Sequence, residues 1–296
     1  MKQLLEDMIE DWEYWSPKPE IEILQKYAME GRTITIAYAT YIYSTAIAFV
    51  NLPMIPVILD LVKPLNVSRP KTPLYIAEYY IDEEKYFFPI MLHQYACSIT
   101  CTNMIVVVET MFMLYTQHAC GIFSILGYKL QHLVEPKNVD RIRLRKDIAF
   151  CVEMHRKVVK FVDNINASFS TGFFIIMGLN TVLMSVTGVQ TALKIGQPRE
   201  GSRYALFTAS QMFHFFFLSV PGQKLIDHSL EVQKYIYNSP WYELPVEAQK
   251  LLLFMMRKTS EPCEFVAGVL FQFSMQTFAS VVRMSMSYFT VLSSVN

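Results

Sequence analysis

The sequence predicts an all-α membrane protein: a polytopic helical bundle of about five transmembrane helices, N-terminus cytoplasmic and C-terminus extracellular. Three observations predict it. Charged residues make up only 18% of the 296-residue chain, below the roughly 25% usual for soluble proteins. Five long stretches are free of charge or nearly so: Thr33–Leu59, Phe87–Tyr128 broken by Glu109, Asn164–Leu193, Tyr204–Gln223, and Phe265 onward broken by Arg283. A run of about 18 such residues crosses a hydrocarbon core roughly 30 Å thick. Backbone groups in lipid must be satisfied within the segment, which selects helix over open sheet. The third observation is the placement of basic residues. Segments 1–30, 127–162 and 224–262 carry 17 Lys and Arg, and the intervening loops carry seven. Such an excess marks the first set as cytoplasmic. A receptor coupled to G proteins has the opposite orientation.

Residues 1–31 read as a cytoplasmic entry segment. Leu4, Leu5, Met8, Ile9 and Trp12 recur at helical spacing, and Ser16-Pro17-Lys18-Pro19 interrupts them before a second helical stretch from Glu20. Nothing here has the basic stub and short apolar core of a secretory signal. The transmembrane region occupies 32–235, with an outer loop at 63–87 and a cytoplasmic segment at 129–162. Its first span runs from Arg32 to Val62, kinked near its outer end by Pro53 and Pro56. The second is longer than a bilayer needs and projects into the cytoplasm. Glu109 within it faces protein, water or a partner, or else lies at the inner interface. The third span holds Gly172, Gly178 and Gly188, small enough for close helix approach. Pro221-Gly222 marks a bend near the cytoplasmic exit of the fourth. Residues 236–262 form an amphipathic cytoplasmic region, with Pro245 suited to a helix start. Residues 263–296 form the last, apolar helix.

Composition and spacing exclude several functions. Net charge is zero and no basic patch is interleaved with aromatics, so nucleic acid is not a partner. The five cysteines lack metal-ligand spacing, so they read as structural thiols and no metal or cofactor is implied. No nucleophile–base set or phosphate loop identifies an enzyme. A transporter would need intramembrane charge pairs or repeats, for which Glu109 and Arg283 are weak candidates.

Several stretches resemble the insect odorant receptor family. They are Phe216-Phe217-Leu218-Ser219-Val220-Pro221-Gly222-Gln223-Lys224-Leu225-Ile226-Asp227, then Trp241-Tyr242-Glu243-Leu244, and Leu251-Leu252-Leu253-Phe254-Met255-Met256-Arg257-Lys258 followed by Pro262. Gly268, Phe278 and the ending Ser287-Tyr288-Phe289-Thr290-Val291-Leu292 continue the pattern, and Asp11-Trp12 fits an earlier family segment. The resemblance is strong from about residue 215 and diffuse before it. It implies a seven-helix family of which this chain lacks the first two helices, as a partial or truncated receptor would.

The resemblance further implies an odorant-gated, non-selective cation channel at the plasma membrane of olfactory sensory neuron dendrites. Such channels assemble as heterotetramers with the odorant co-receptor, in contact with membrane lipid. Residues 236–262 would then dock subunits, and the last helix would line the pore. Matching the ending to the co-receptor places Val291 and Val295 at an apolar gate, with Ser294 at a polar pore position. Apolar rings close a pore by dewetting. A volatile hydrophobic ligand would bind in the outer half of the bundle. By depth and helical spacing that half contains Thr45, Ala48, Phe49, Leu52, Tyr95, Ile99, Thr102, Phe207, Gln211 and His214. Each of these also suits ordinary packing. The alternative within reach is a gustatory receptor, whose usual Thr-Tyr ending differs from Ser287-Tyr288 here.

Overall fold

The computed structural model describes residues 1–63, 73–75, 77–82, 85–133, 141–194, 198–268 and 271–295, with side chains omitted at 198–200, 202–203, 286 and 288–295. Eight α-helices and one short hairpin occur among the described residues: α1 (Lys2–Trp15), α2 (Ile21–Val50), α3 (Met54–Val62), α4 (Phe87–Gln131), α5 (Arg141–Leu193), α6 (Pro198–Asn238), α7 (Val246–Lys258), strands β1 (Val266–Ala267) and β2 (Phe271–Gln272), and α8 (Met275–Val295). A single 3-10 turn, Trp241–Glu243, precedes α7. The all-α expectation holds. By length and composition α2, α4 and α5 are able to cross a membrane. The other two expected spans lie on α6 and α8, which are not among those three.

The chain forms two compact units. One comprises Arg32–Met111. Here α2 ends at Val50, and a turn over Asn51–Pro53 precedes α3. The proline pair therefore goes with a break in the helix, where a kink was expected. Proline at 53 suits the position just before a helix, since its missing N–H falls among donors that a first turn leaves unpaired anyway. Tyr38 donates a hydrogen bond to the Glu109 carboxylate, and both side chains are buried. Glu109 thus faces protein, one of the surroundings read from the sequence for it. Further along the same helix pair, Tyr43 Oη donates to Asn103 at 2.7 Å. Two side chains of α4 hold described residues of the segment before it: the fully buried Gln94 accepts from Leu74 N and donates to Tyr75 O, each at 2.9 Å, and His93 Nδ1 lies 3.2 Å from Tyr79 Oη.

The other unit comprises Met1–Gly31 and Phe112–Asn296. The base of this unit is tied by polar contacts. Asp11 accepts from Lys157 Nζ at 2.7 Å and pairs with His118 Nε2 at 3.1 Å. Burial alone would raise the Asp11 carboxyl, and the hydrogen bonds from His118 and Lys157 more than reverse that, leaving it below its ordinary 3.8. Glu20 pairs with Lys129 at 2.6 Å. Lys224 reaches Glu30 at 2.5 Å and Gln117 at 3.0 Å. Gly31 permits the last arrangement, because a Cβ there would meet the Gln117 side chain at 3.0 Å. Beside it, Ser124 donates to Tyr27 Oη at 2.6 Å, and Tyr27 Oη lies 3.2 Å from His228 Nε2.

A carboxyl held below its unfolded value contributes stability above that value, and the contribution is lost as pH falls through the folded one. Asp11 therefore stabilises the folded base at neutral pH and stops doing so as pH drops below 3.8. Asp11→Asn is expected to cost about 1–2 kcal/mol at neutral pH and to shrink the acid-induced fall in melting temperature. Thermal unfolding of purified protein across acidic pH checks both. Equal acid sensitivity in the two proteins would sink the assignment.

Three sequence-drawn boundaries move. Helix α2 begins at Ile21, so Arg32 lies inside a continuous helix. Helix α6 continues through Pro221 to Asn238, past the expected 235/236 division. The expected single helix from Cys263 is corrected most: strands Val266–Ala267 and Phe271–Gln272 pair as a hairpin and helix begins only at Met275.

Candidate functional site

The residues leading into α8 explain that correction. Phe265 and Ala267 are buried while Val266 is half-exposed, an alternation with a strand's period of two. Gly268 then takes φ +64°, a conformation that residues with a Cβ seldom adopt. The antiparallel register pairs Val266 with Gln272 and Ala267 with Phe271. Phe273 N donates to Phe265 O at 2.9 Å. Backbone polar groups that are buried outside a helix need partners, and α5 supplies them. Asn166 donates to Glu264 O at 2.8 Å and accepts from Val266 N at 3.2 Å. One turn further along, Ser170 Oγ accepts from Gly268 N at 2.9 Å.

Apolar contacts fix the hairpin's other side. Phe112 lies with its ring centroid 4.8–5.9 Å from those of Phe265, Phe173, Phe169 and Phe273. Close edge-on and tilted pairs of this kind suit the aromatic quadrupole. On α6, Gly222 lets the hairpin backbone approach: an added Cβ would lie 2.1 Å from Phe273 O. The helix runs on through the Pro221-Gly222 pair that was expected to mark a bend, and Gly222 makes this contact.

Helix α8 starts from a polar cap. Ser274 Oγ accepts from Thr277 N at 3.2 Å, the bond an N-cap side chain makes. Gln223 Oε1 on α6 accepts from Met275 N at 3.2 Å, while its Nε2 donates to Asp227 at 2.9 Å. The first donors of α8 are thereby bonded to α6 and to its own cap. Sequence reasoning missed this junction. Its signals were the alternation around Gly268 and the Ser274-Met275-Gln276-Thr277 pattern ahead of the final apolar run.

Val291, Ser294 and Val295 lie on α8, and their side chains fall outside the described residues. The ten nominated ligand residues divide between the two units. Thr45, Ala48 and Phe49 lie on α2, with Leu52 in the turn that follows, and Tyr95, Ile99 and Thr102 lie on α4, all in the unit Arg32–Met111. Phe207, Gln211 and His214 lie on α6 in the other. Ala48, Phe49, Leu52, Ile99 and Phe207 are exposed, and Thr45, Tyr95, Thr102 and His214 are partly so. Gln211 is buried. The Tyr95 hydroxyl and Gln211 Oε1 are both buried without a hydrogen-bond partner among the described residues. A cavity of about 460 Å³ does occur, but at the base around Asp11, lined by residues such as Asp11, Trp15, His118 and Phe150 and by none of the ten.

Helix α7 turns Ala248, Leu252, Met255 and Met256 inward. Val246, Leu251, Leu253 and Phe254 stay exposed on it.

A chain of long apolar helices with this junction belongs to a multi-pass class of membrane protein, and comparison with known proteins defines that class. The model of the 7tm Odorant receptor family matches residues 2–286, so the chain belongs to the odorant receptor family. It is 22% identical to Odorant receptor 9a of Drosophila melanogaster over 278 residues, covering 93% of this chain and 69% of that receptor. It is 26% identical over 153 residues to the Drosophila melanogaster odorant receptor coreceptor, covering 50% of this chain and 31% of the coreceptor. The fold resembles that of the insect olfactory receptor OR5 from Machilis hrabei, solved in complex with eugenol. The TM-score is 0.68 at 13% identity, over 92% of this chain and 70% of that one.

Proposed function

We propose that this chain is an odorant receptor subunit that binds a volatile hydrophobic molecule and gates a non-selective cation channel together with the odorant co-receptor. The observation that carries the reading is the family match across residues 2–286. The similarity to a coreceptor over half of this chain supports a shared mode of assembly. On this reading the chain lies in the plasma membrane of an olfactory neuron's dendrite, with its N-terminus inside. The exposed apolar side chains of α7 are available to dock neighbouring subunits.

The ligand-contacting set is the ten residues named from depth and spacing. Two facts support it: the buried Tyr95 hydroxyl and the buried Gln211 carbonyl each lack a protein partner among the described residues. Buried polar groups are normally hydrogen-bonded, and apolar ligand sites use a few polar groups for orientation. Gating follows when the ligand binds the open arrangement better than the closed one. Val291 and Val295 form the apolar constriction and Ser294 a polar step beside it.

Val291→Ala widens that constriction and is expected to raise odorant-independent current about tenfold in cells co-expressing the co-receptor. Patch-clamp recording at matched surface density is the check. Unchanged basal current would remove Val291 from the gate.

A further inference from the structure

We propose that Asn166 and Ser170 are positioning residues for the last helix: a polar clamp on α5 that holds the 264–274 hairpin and through it sets where α8 begins. Asn166 and Ser170 lie four residues apart and so share one face of α5. Asn166 uses both halves of its amide, donating to Glu264 O and accepting from Val266 N. It thereby occupies the place of a neighbouring strand beside β1. Ser170 holds Gly268 N, the donor at the hairpin's left-handed residue. Three backbone groups of β1 and its turn are thus fixed by two side chains of one helix.

The connection to α8 is short and stiff. The antiparallel register carries β1's position to β2, and Phe273 N bonds Phe265 O directly. Ser274 then caps α8, whose first N–H is held by Gln223. Displacing α5 relative to α6 therefore strains the hairpin from both ends, because α5 grips β1 while α6 grips the start of α8 and lies against Phe273 through Gly222. Glycine at 268 removes the steric penalty of the turn, and Phe174 of α5 packs where its Cβ would be. The arrangement transmits motion of one long helix to another through hydrogen bonds.

The test is hydrogen exchange on the purified full chain in lipid nanodiscs, comparing wild type with Ser170→Ala, Asn166→Ala and the conservative Ser170→Thr. Each lost hydrogen bond opens the segment more often, so exchange is expected to quicken about tenfold in peptides covering 264–274 and in the first turns of α8, 275–283. Peptides covering α7, 246–258, stay at the wild-type rate, and Ser170→Thr restores protection. Acceleration confined to the hairpin, with 275–283 unchanged, overturns the proposal. So does acceleration spread equally over α7, which would mark the two residues as merely structural. The consequence for current rests on the channel reading above. There, Ser170→Ala is expected to lower the ratio of odorant-evoked to basal current about tenfold at equal surface density. The exchange experiment needs no current, so the clamp and the channel reading fail separately.

Discussion

Gly222→Ala is expected to destabilise the protein by about 3 kcal/mol or more, at the upper end of overpacking effects. The added Cβ would lie 2.1 Å from Phe273 O and 2.6 Å from Phe273 Cβ. The nearest atom is backbone, so no rotamer change relieves the contact. Moving Phe273 away would also break its bond to Phe265 O and disturb the Gln223–Met275 contact that starts α8. Thermal unfolding of the variant in detergent and its surface density in cells measure the effect. Wild-type melting temperature and yield would contradict the packing described.

Phe112→Ala is the second large effect, expected at about 3–5 kcal/mol. Phe112 is 1% exposed and lies against four other phenylalanines, two on α5, one just before β1 and one just after β2. Lipid supplies little hydrophobic drive for helices to associate, so packing contacts of this kind carry the stability. Phe112→Leu fills most of the volume and is expected to lose less than half as much. Melting temperatures of the two variants decide the matter. If alanine and leucine cost the same, the ring contacts themselves are not what holds the hairpin.

Much of the fold was legible because the bilayer imposes long charge-free runs on a sequence. The run Thr33–Leu59 recurs across α2 and α3, and Asn164–Leu193 within α5. Their ends were harder to read. Helix α2 continues from Ile21 through Arg32 because charge alone ends no helix, whereas a break does occur before Pro53. The hairpin was hidden for a different reason. The strand residues 266–267 and 271–272 belong to an uncharged run that reads as helix, and the first strand is bonded by the amide of Asn166, about a hundred residues earlier. The same holds for Gly222, whose neighbour Phe273 is distant in sequence. The ligand-contacting residues were nominated by depth, and single-sequence depth assigns no contacts. The unpaired Tyr95 hydroxyl and Gln211 carbonyl sharpen that nomination to two side chains worth mutating first.

The most direct test of the receptor reading is current recorded from cells expressing this chain with an insect odorant co-receptor, during application of a panel of volatile compounds. The reading predicts a dose-dependent cation current to at least one compound, absent from cells expressing the co-receptor alone. Surface-expressed chain whose currents match the co-receptor alone across the panel would contradict it.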